Sequence, residues 1–169
     1  MLRDHAKLVQ FFSQCEEVVG RKKLQKMIYI MKKCGLPFEE RYQFHFYGPY
    51  SEELTLRVEE LCNLGFLEEM KEKKSGYHQY RYTLTPDGKE FLGHYDDLSM
   101  PPMDALIEAM NGRSSRFLEL VSTMVYFDHL TKEEVNDKIH QVKGKLNYTT
   151  EEIDEAWQFI DDMKEKTSH

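Results

Sequence analysis

The side chains best suited to chemistry in this sequence are a short His-Tyr-Asp-Asp run and an Asp-His pair. His94, Asp96 and Asp97 could supply ligands to a metal-dependent hydrolase, and Asp128-His129 could supply two more. A metal site needs three or four ligands that converge in space, and neither group has a second His or a Cys at ligand spacing. Solvent-exposed loop residues are therefore the better interpretation of both groups.

The cysteines Cys15, Cys34 and Cys62 are odd in number, widely spaced and without a CxxC pair. Each lies at or near an apolar helix face, which predicts buried free thiols in a reducing compartment. Cys62 could act as a nucleophile only beside a base, and its position near an apolar stripe favours an inert thiol. Phosphate-binding loops, dinucleotide fingerprints and the GxSxG and HExxH motifs are also missing. We therefore expect a protein that is not an enzyme and that carries no metal and no cofactor.

Charge is distributed unevenly along the chain. Residues 1–93 contain 15 Lys and Arg against 14 Asp and Glu, whereas residues 94–169 contain 8 against 16. An acidic second half repels DNA at long range. No apolar run approaches the ~20 residues that a membrane span needs, and charged residues occur too early for a signal peptide. We expect a cytoplasmic protein that does not contact a membrane.

These residues are positioned by elements arranged around the stretch 47–67. Gly48-Pro49 predicts a turn, Ser51 is a good helix N-cap, and Gly65 is a suitable C-cap. Between the caps, helical spacing places three apolar residues on one face: Leu54, Val58 and Leu61. A helix that ends in Leu-Gly-Phe-Leu and precedes a hairpin is typical of the third helix and wing of a winged-helix domain.

The flanking sequence supplies the rest of such a domain. Apolar residues at helical spacing predict helices at 4–18 and 21–34, and alternating residues predict a strand at 42–47. A hairpin follows, formed by Phe66–Glu72 and Tyr77–Leu84. The next helix starts after the N-cap Thr85. The predicted class is α+β. It comprises a winged helix-turn-helix domain (1–95), a linker (96–103) and an all-helical C-terminal extension (104–169).

The extension contains two capping boxes that open its last helices, Thr131 with Glu134 and Thr149 with Glu152. A short helix is predicted at 104–110, and a longer one from Ser114 to about Asp128. Helices with broad apolar stripes of this kind often dimerise winged-helix proteins, so a homodimer through the extension is one hypothesis about partners.

The outer face of the helix at 51–64 is acidic, because helical spacing places Glu52, Leu56, Glu59 and Asn63 there. Carboxylates on this face oppose the phosphate contacts that dominate DNA affinity. We therefore expect a protein partner, with Tyr50, Leu56 and Glu59 as contact residues.

The alternative hypothesis is a DNA-binding winged-helix transcriptional regulator. Its phosphate contacts would come from the hairpin lysines Lys71, Lys73 and Lys74 and from a lysine stripe on the helix at 21–34, formed by Lys22, Lys26 and Lys33. An ordinary solvated hairpin tip and helix face explain the same lysines without any ligand.

Two segments carry a family resemblance. Lys23-Leu-Gln-Lys-Met-Ile-Tyr29, followed by Tyr47-Gly-Pro-Tyr-Ser51, resembles the Panacea domain of SocA-like antitoxins over residues 21–65. The whole chain is also similar to a YwgA-like family of uncharacterised bacterial proteins. The Panacea resemblance implies a protein-binding role, either neutralising a toxin or presenting a partner to a protease. The long helical extension departs from that domain. The sequence thus favours a regulatory protein of the antitoxin or adaptor kind.

Overall fold

A computed structural model of the protein describes residues 2–95 and 97–167. The first half comprises α1 (Arg3–Gln14), β1 (Glu17–Val19), α2 (Arg21–Lys33), β2 (Gln43–His45), β3 (Gly48–Tyr50), α3 (Glu52–Asn63), β4 (Leu67–Lys74), β5 (Tyr77–Leu84) and α4 (Pro86–Leu92). The second half comprises α5 (Asp104–Asn111), α6 (Ser115–Tyr126), α7 (Lys132–Val142), a 3₁₀ turn (Gly144–Leu146) and α8 (Thr150–Thr167). The α+β class predicted from the sequence is confirmed.

The starts of α3, α4, α7 and α8 lie where local capping signals place them. The Ser51 hydroxyl accepts a hydrogen bond from the Leu54 amide at 3.0 Å, and Thr85 accepts one from the Gly88 amide at 3.0 Å. Both capping boxes form reciprocally, through Thr131 with Glu134 and Thr149 with Glu152. Each cap satisfies amide groups that the first helical turn leaves without a partner.

The predicted helix at 4–18 is too long. Helix α1 ends at Gln14, and β1 pairs antiparallel with β5, with Val18 opposite Tyr82. The β-branched pair Val18-Val19 suits a strand, but its partner strand lies more than 60 residues away, beyond the reach of a local pattern. The resulting antiparallel sheet has the order β1-β5-β4.

The Gly48-Pro49 turn is also a wrong prediction. These residues lie in β3, where Gly48 pairs with His45 and Pro49 pairs with Phe44 of β2. The turn instead falls at residues 46–47. Proline can occupy a two-stranded ladder of this kind because an edge strand leaves one side unpaired.

A single apolar core extends across both halves of the chain. It joins side chains of α1 and α2, such as Phe12 and Met27, to side chains of α6 and α8, such as Leu118 and Ile160. The apolar stripes of the extension, which favoured a homodimer, are thus buried within their own chain. Leu98 and Met103, from the predicted linker, are buried as well. Within the described residues, no helix combines the length and apolar character needed to cross a bilayer.

Gly88 provides a test of how α4 closes onto the hairpin. A Cβ at this position would lie 2.3 Å from the Phe66 carbonyl oxygen and 2.5 Å from Leu84 Cδ1. We expect Gly88→Ala to lower the free energy of unfolding by about 2 kcal/mol or more, because backbone must move to relieve the overlap. Urea denaturation measures this change.

Gly112→Ala is the matched control, since a Cβ there meets nothing within 4 Å and the residue has φ −82°. We expect its effect to stay below about 0.5 kcal/mol. Equal effects of the two substitutions would contradict the packing of α4 described above.

Candidate functional site

The two motif segments around Gln25 and Ser51 fold against each other. The Gln25 amide donates to the Ser51 carbonyl and accepts from the Ser51 amide, both at 2.9 Å. The neighbouring Lys26 ammonium donates to the Pro49 carbonyl at 2.7 Å. All of these groups are buried, and backbone–side chain bonds made in the interior resist exchange with water. The motif therefore holds β3 and the start of α3 on α2.

The predicted solvent-exposed lysine stripe on α2 is wrong at Lys26, whereas Lys33 is exposed and Lys22 is half-buried. Lys26 is only 1% exposed. Lys22 and Lys33 are both ion-paired, with the Lys22 Nζ 2.9 Å from Glu119 Oε1 and the Lys33 Nζ 2.9 Å from Asp128 Oδ2. Helix α6 and the residues after it pack across this face of α2. A pattern of charges on α2 alone could not show which distant helix covers it.

Glu119 is the centre of a buried ionic cluster. Its carboxylate is 2% exposed and lies between Lys22 and Lys143, whose Nζ is 3.2 Å from Glu119 Oε2. Lys143 also donates to the Phe46 carbonyl at 2.9 Å. Sequence reasoning missed Glu119, although a lone acid among Phe117, Leu118, Leu120 and Val121 was a usable signal. The cluster joins α2, α6 and the β2–β3 turn.

Gly48 and Lys26 both show how tightly the cluster is packed. Gly48 has φ +93°, and a Cβ there would lie 3.0 Å from Thr123 Oγ1 and 3.5 Å from Lys26 Nζ. Burial lowers the pKa of Lys26, the Glu119 carboxylate partly offsets this, and the nearby ammonium groups of Lys143 and Lys22 add to the lowering, so that the pKa is about 8. The cluster therefore holds more positive than negative charge.

A groove of about 750 Å³ opens beside this cluster. Its walls come from α2, α3, the β2–β3 hairpin and the β4–β5 hairpin. Among the residues singled out from the sequence, it brings together Lys22, Lys26, Tyr50 and Glu59. Its volume is within the range of ligand and peptide pockets, so we define it as the α2–α3 groove.

The hairpin wall of the groove is fixed by polar contacts. The Tyr82 hydroxyl donates to Glu69 Oε2 at 2.6 Å and accepts from Arg21 Nε at 3.3 Å. The Arg21 guanidinium also lies 3.5 Å from the centroid of the Tyr80 ring. Burial and the Glu69 carboxylate raise the pKa of Tyr82, so its hydroxyl stays protonated. In contrast, the rings of Tyr47 and Tyr77 are both 60% exposed along the groove.

The outward face of α3 runs alongside the groove. Leu56 is 57% exposed, and Glu52 and Glu59 are exposed on the same face. Arg57 turns inward instead, where it pairs with the buried Glu40 and lies 3.3 Å from Asp4. Among the described residues of α3, the outward face therefore carries carboxylates and a leucine without a cation.

The remaining candidates are not part of the groove. Lys71, Lys73 and Lys74 are exposed on β4. Asp96 lies outside the described residues, and no three His, Cys, Asp or Glu side chains within the described part of the chain converge as a metal site. Burial raises the pKa of the Cys15 and Cys62 thiols to about 11, which keeps them protonated at neutral pH.

Comparison with known proteins places the chain in a family. It is 62% identical over 165 residues to the uncharacterized protein YwgA of Bacillus subtilis strain 168, and the match covers 98% of this chain and 99% of that protein. The chain belongs to the YwgA family. No model of a protein family matches it. The match runs through both halves of the chain, so the helical extension is part of what aligns with that relative.

The ionic cluster predicts a pH-dependent stability. The pKa of Lys26 is lower in the folded chain than the ordinary value of 10.5, so the unfolded chain binds the proton more tightly. Raising the pH through about 8 therefore favours the folded state. We expect the stability of the wild type, relative to Lys26→Met, to rise by about 2 kcal/mol between about pH 7 and about pH 9.5.

Urea denaturation of both proteins at several pH values measures this difference. The comparison cancels the titration of tyrosines and cysteines, which both proteins share. A difference in stability that does not change with pH would show that Lys26 is charged and solvated in the same way before and after unfolding.

Proposed function

We propose that this YwgA-family protein is a non-enzymatic regulatory module of the winged-helix type, acting through protein–protein interaction in the cytoplasm. The element order α1-β1-α2-β2-β3-α3-β4-β5, in which the β2–β3 hairpin forms its own small sheet between α2 and α3, and the sheet order β1-β5-β4 support the winged-helix assignment. In this interpretation α3 is the third helix and the β4–β5 hairpin is the wing.

The observation that carries the proposal is the surface of α3 and the adjoining groove. A helix that reads DNA presents cations to phosphates, whereas α3 presents Glu52, Leu56 and Glu59. The exposed rings of Tyr47 and Tyr77 extend an apolar surface along the groove. Exposed apolar groups rimmed by polar ones are typical of protein interaction sites.

The Panacea resemblance supports the same proposal. Gln25 and Ser51 belong to the two segments that carry it, and they anchor α3 through the buried bonds described above. The two segments of the motif thus position α3 and its exposed surface. We propose an antitoxin-like or adaptor-like role, in which α3 and the groove hold a partner protein.

Leu56→Arg tests this proposal. Leu56 is exposed, so the substitution leaves the core intact, but it places a cation and a longer side chain at the centre of the proposed interface. We expect at least about a thirtyfold loss of affinity for the partner, the size of a hot-spot effect. Crosslinking of the wild type in bacterial extract identifies the partner, and calorimetry with the purified partner measures the affinity.

Val142→Arg is the matched control, because Val142 is another exposed aliphatic residue, but it belongs to α7 and does not line the groove. We expect this variant to bind as the wild type does. Retention of every partner by Leu56→Arg at unchanged affinity would refute the proposed interface.

A DNA-binding regulator is the second candidate, favoured by the three exposed wing lysines Lys71, Lys73 and Lys74. The α2 lysines do not add to this surface, because Lys26 is buried and Lys22 and Lys33 are ion-paired. Only the wing would then contact phosphates.

Because only three wing lysines would contact phosphates, the salt dependence of DNA binding should be modest. With three lysines as phosphate contacts, the logarithm of the binding constant should fall with the logarithm of salt concentration with a slope of about −3. Fluorescence anisotropy with mixed-sequence duplex DNA at several salt concentrations gives this slope. We expect replacement of all three lysines by Gln to abolish it, and no binding at low salt would eliminate this candidate.

A further inference from the structure

A second cavity, of about 370 Å³, lies at the opposite end of α2 from the groove. Helices α2, α6, α7 and α8 form its walls. Its lining is largely apolar and includes Val121, Met124, Ile160 and Met163. The indole of Trp157, the single tryptophan of the chain, forms part of the same wall. We call this the α8 pocket.

The α8 pocket has the dimensions of a small-molecule site. Its volume falls within the range of pockets that bind organic ligands, which are apolar with a few polar groups at defined places. The side chains of Trp157, Leu130 and Cys34 are only partly buried where they line it. Apolar surface left in contact with water is unfavourable, and an apolar ligand body would remove it from water.

The mouth of the pocket carries positive charge. Lys33 and Asp128 line it but neutralise each other at 2.9 Å. Lys132 and Lys164 line it too, and within the described residues neither is ion-paired. The Lys132 ammonium lies 5.3 Å from the centroid of the Trp157 ring. Two cations therefore remain to meet an anionic group at the entrance.

We infer that the α8 pocket binds a small amphipathic carboxylate, a molecule with one carboxylate and a short aliphatic or single-ring body. The body lies among Met124, Ile160 and Met163, and the carboxylate meets Lys132 and Lys164 at the mouth. Charge complementarity selects an anion over a neutral molecule of the same shape. This site is separate from the α2–α3 groove, so the inference does not depend on the proposed function.

Titration of the full chain with sodium octanoate, followed by Trp157 fluorescence, tests the inference. We expect a saturable change in emission with a dissociation constant below about 1 mM. Octanol, which has the same body without the charge, should bind about tenfold more weakly. The double variant Lys132→Gln with Lys164→Gln should lose about tenfold in octanoate affinity and leave octanol affinity unchanged.

Lys89→Gln is the control, since Lys89 is an exposed lysine on α4 outside the pocket, and we expect it to bind octanoate as the wild type does. The methyl NMR signals of Met124 and Met163 give a second readout from the pocket wall. The inference fails if neither these signals nor Trp157 emission respond to octanoate. It also fails if octanol binds as tightly as octanoate or if the double variant keeps wild-type affinity.

Discussion

The fold depends on the burial of one carboxylate, that of Glu119. An isolated buried charge is unfavourable by several kcal/mol, so Glu119 can lie inside the protein only where cations meet it. Lys22 of α2 and Lys143, after α7, fill this role. These ion pairs fix how α6 lies across α2, where the apolar core that both halves share holds the C-terminal extension against the first half of the chain. The extension is thereby part of one shared core.

The same cluster determines how α3 is presented. Lys143 and Lys26 each donate to a carbonyl of the β2–β3 hairpin, those of Phe46 and Pro49. Gln25 then binds the backbone of Ser51, the N-cap of α3. Helix α3 is therefore anchored at its first residue, with its apolar stripe inward and its carboxylates outward. The acidic character of the exposed α3 surface therefore depends on the buried contacts that orient α3.

Helix α2 connects the two cavities of the molecule. Its first half lines the α2–α3 groove through Lys22 and Lys26, and its last residues line the α8 pocket through Lys33 and Cys34. Lys22, Lys26 and Lys33 of α2 are thus divided among a buried cluster, a groove and a rim ion pair. None of these environments resembles the continuous basic surface that a duplex requires.

The sequence by itself determined the features that depend on a few neighbouring residues. The N-caps at Ser51 and Thr85, both capping boxes and the bend at Gly65, with φ +82°, all lie where their local signals place them. The hairpin of β4 and β5 was predictable for the same reason, because Tyr80, Tyr82 and Leu84 alternate with polar residues in β5 and the two strands are adjacent in the chain. The inward stripe of α3 also follows from helical spacing alone.

Only the tertiary structure decided the features that depend on distant partners. Strand β1 exists because β5 lies beside it, and Gly48-Pro49 extends as a strand because β2 pairs with it. The charge pattern of α2 predicts that Lys26 is solvent-exposed, whereas in the folded chain α6 covers it. Ion pairs and β-ladder hydrogen bonds can join segments that are far apart in the sequence. Such contacts leave no periodic pattern of residues in either segment. The groove and the α8 pocket are made of such contacts, and so they emerged only once the helices were packed.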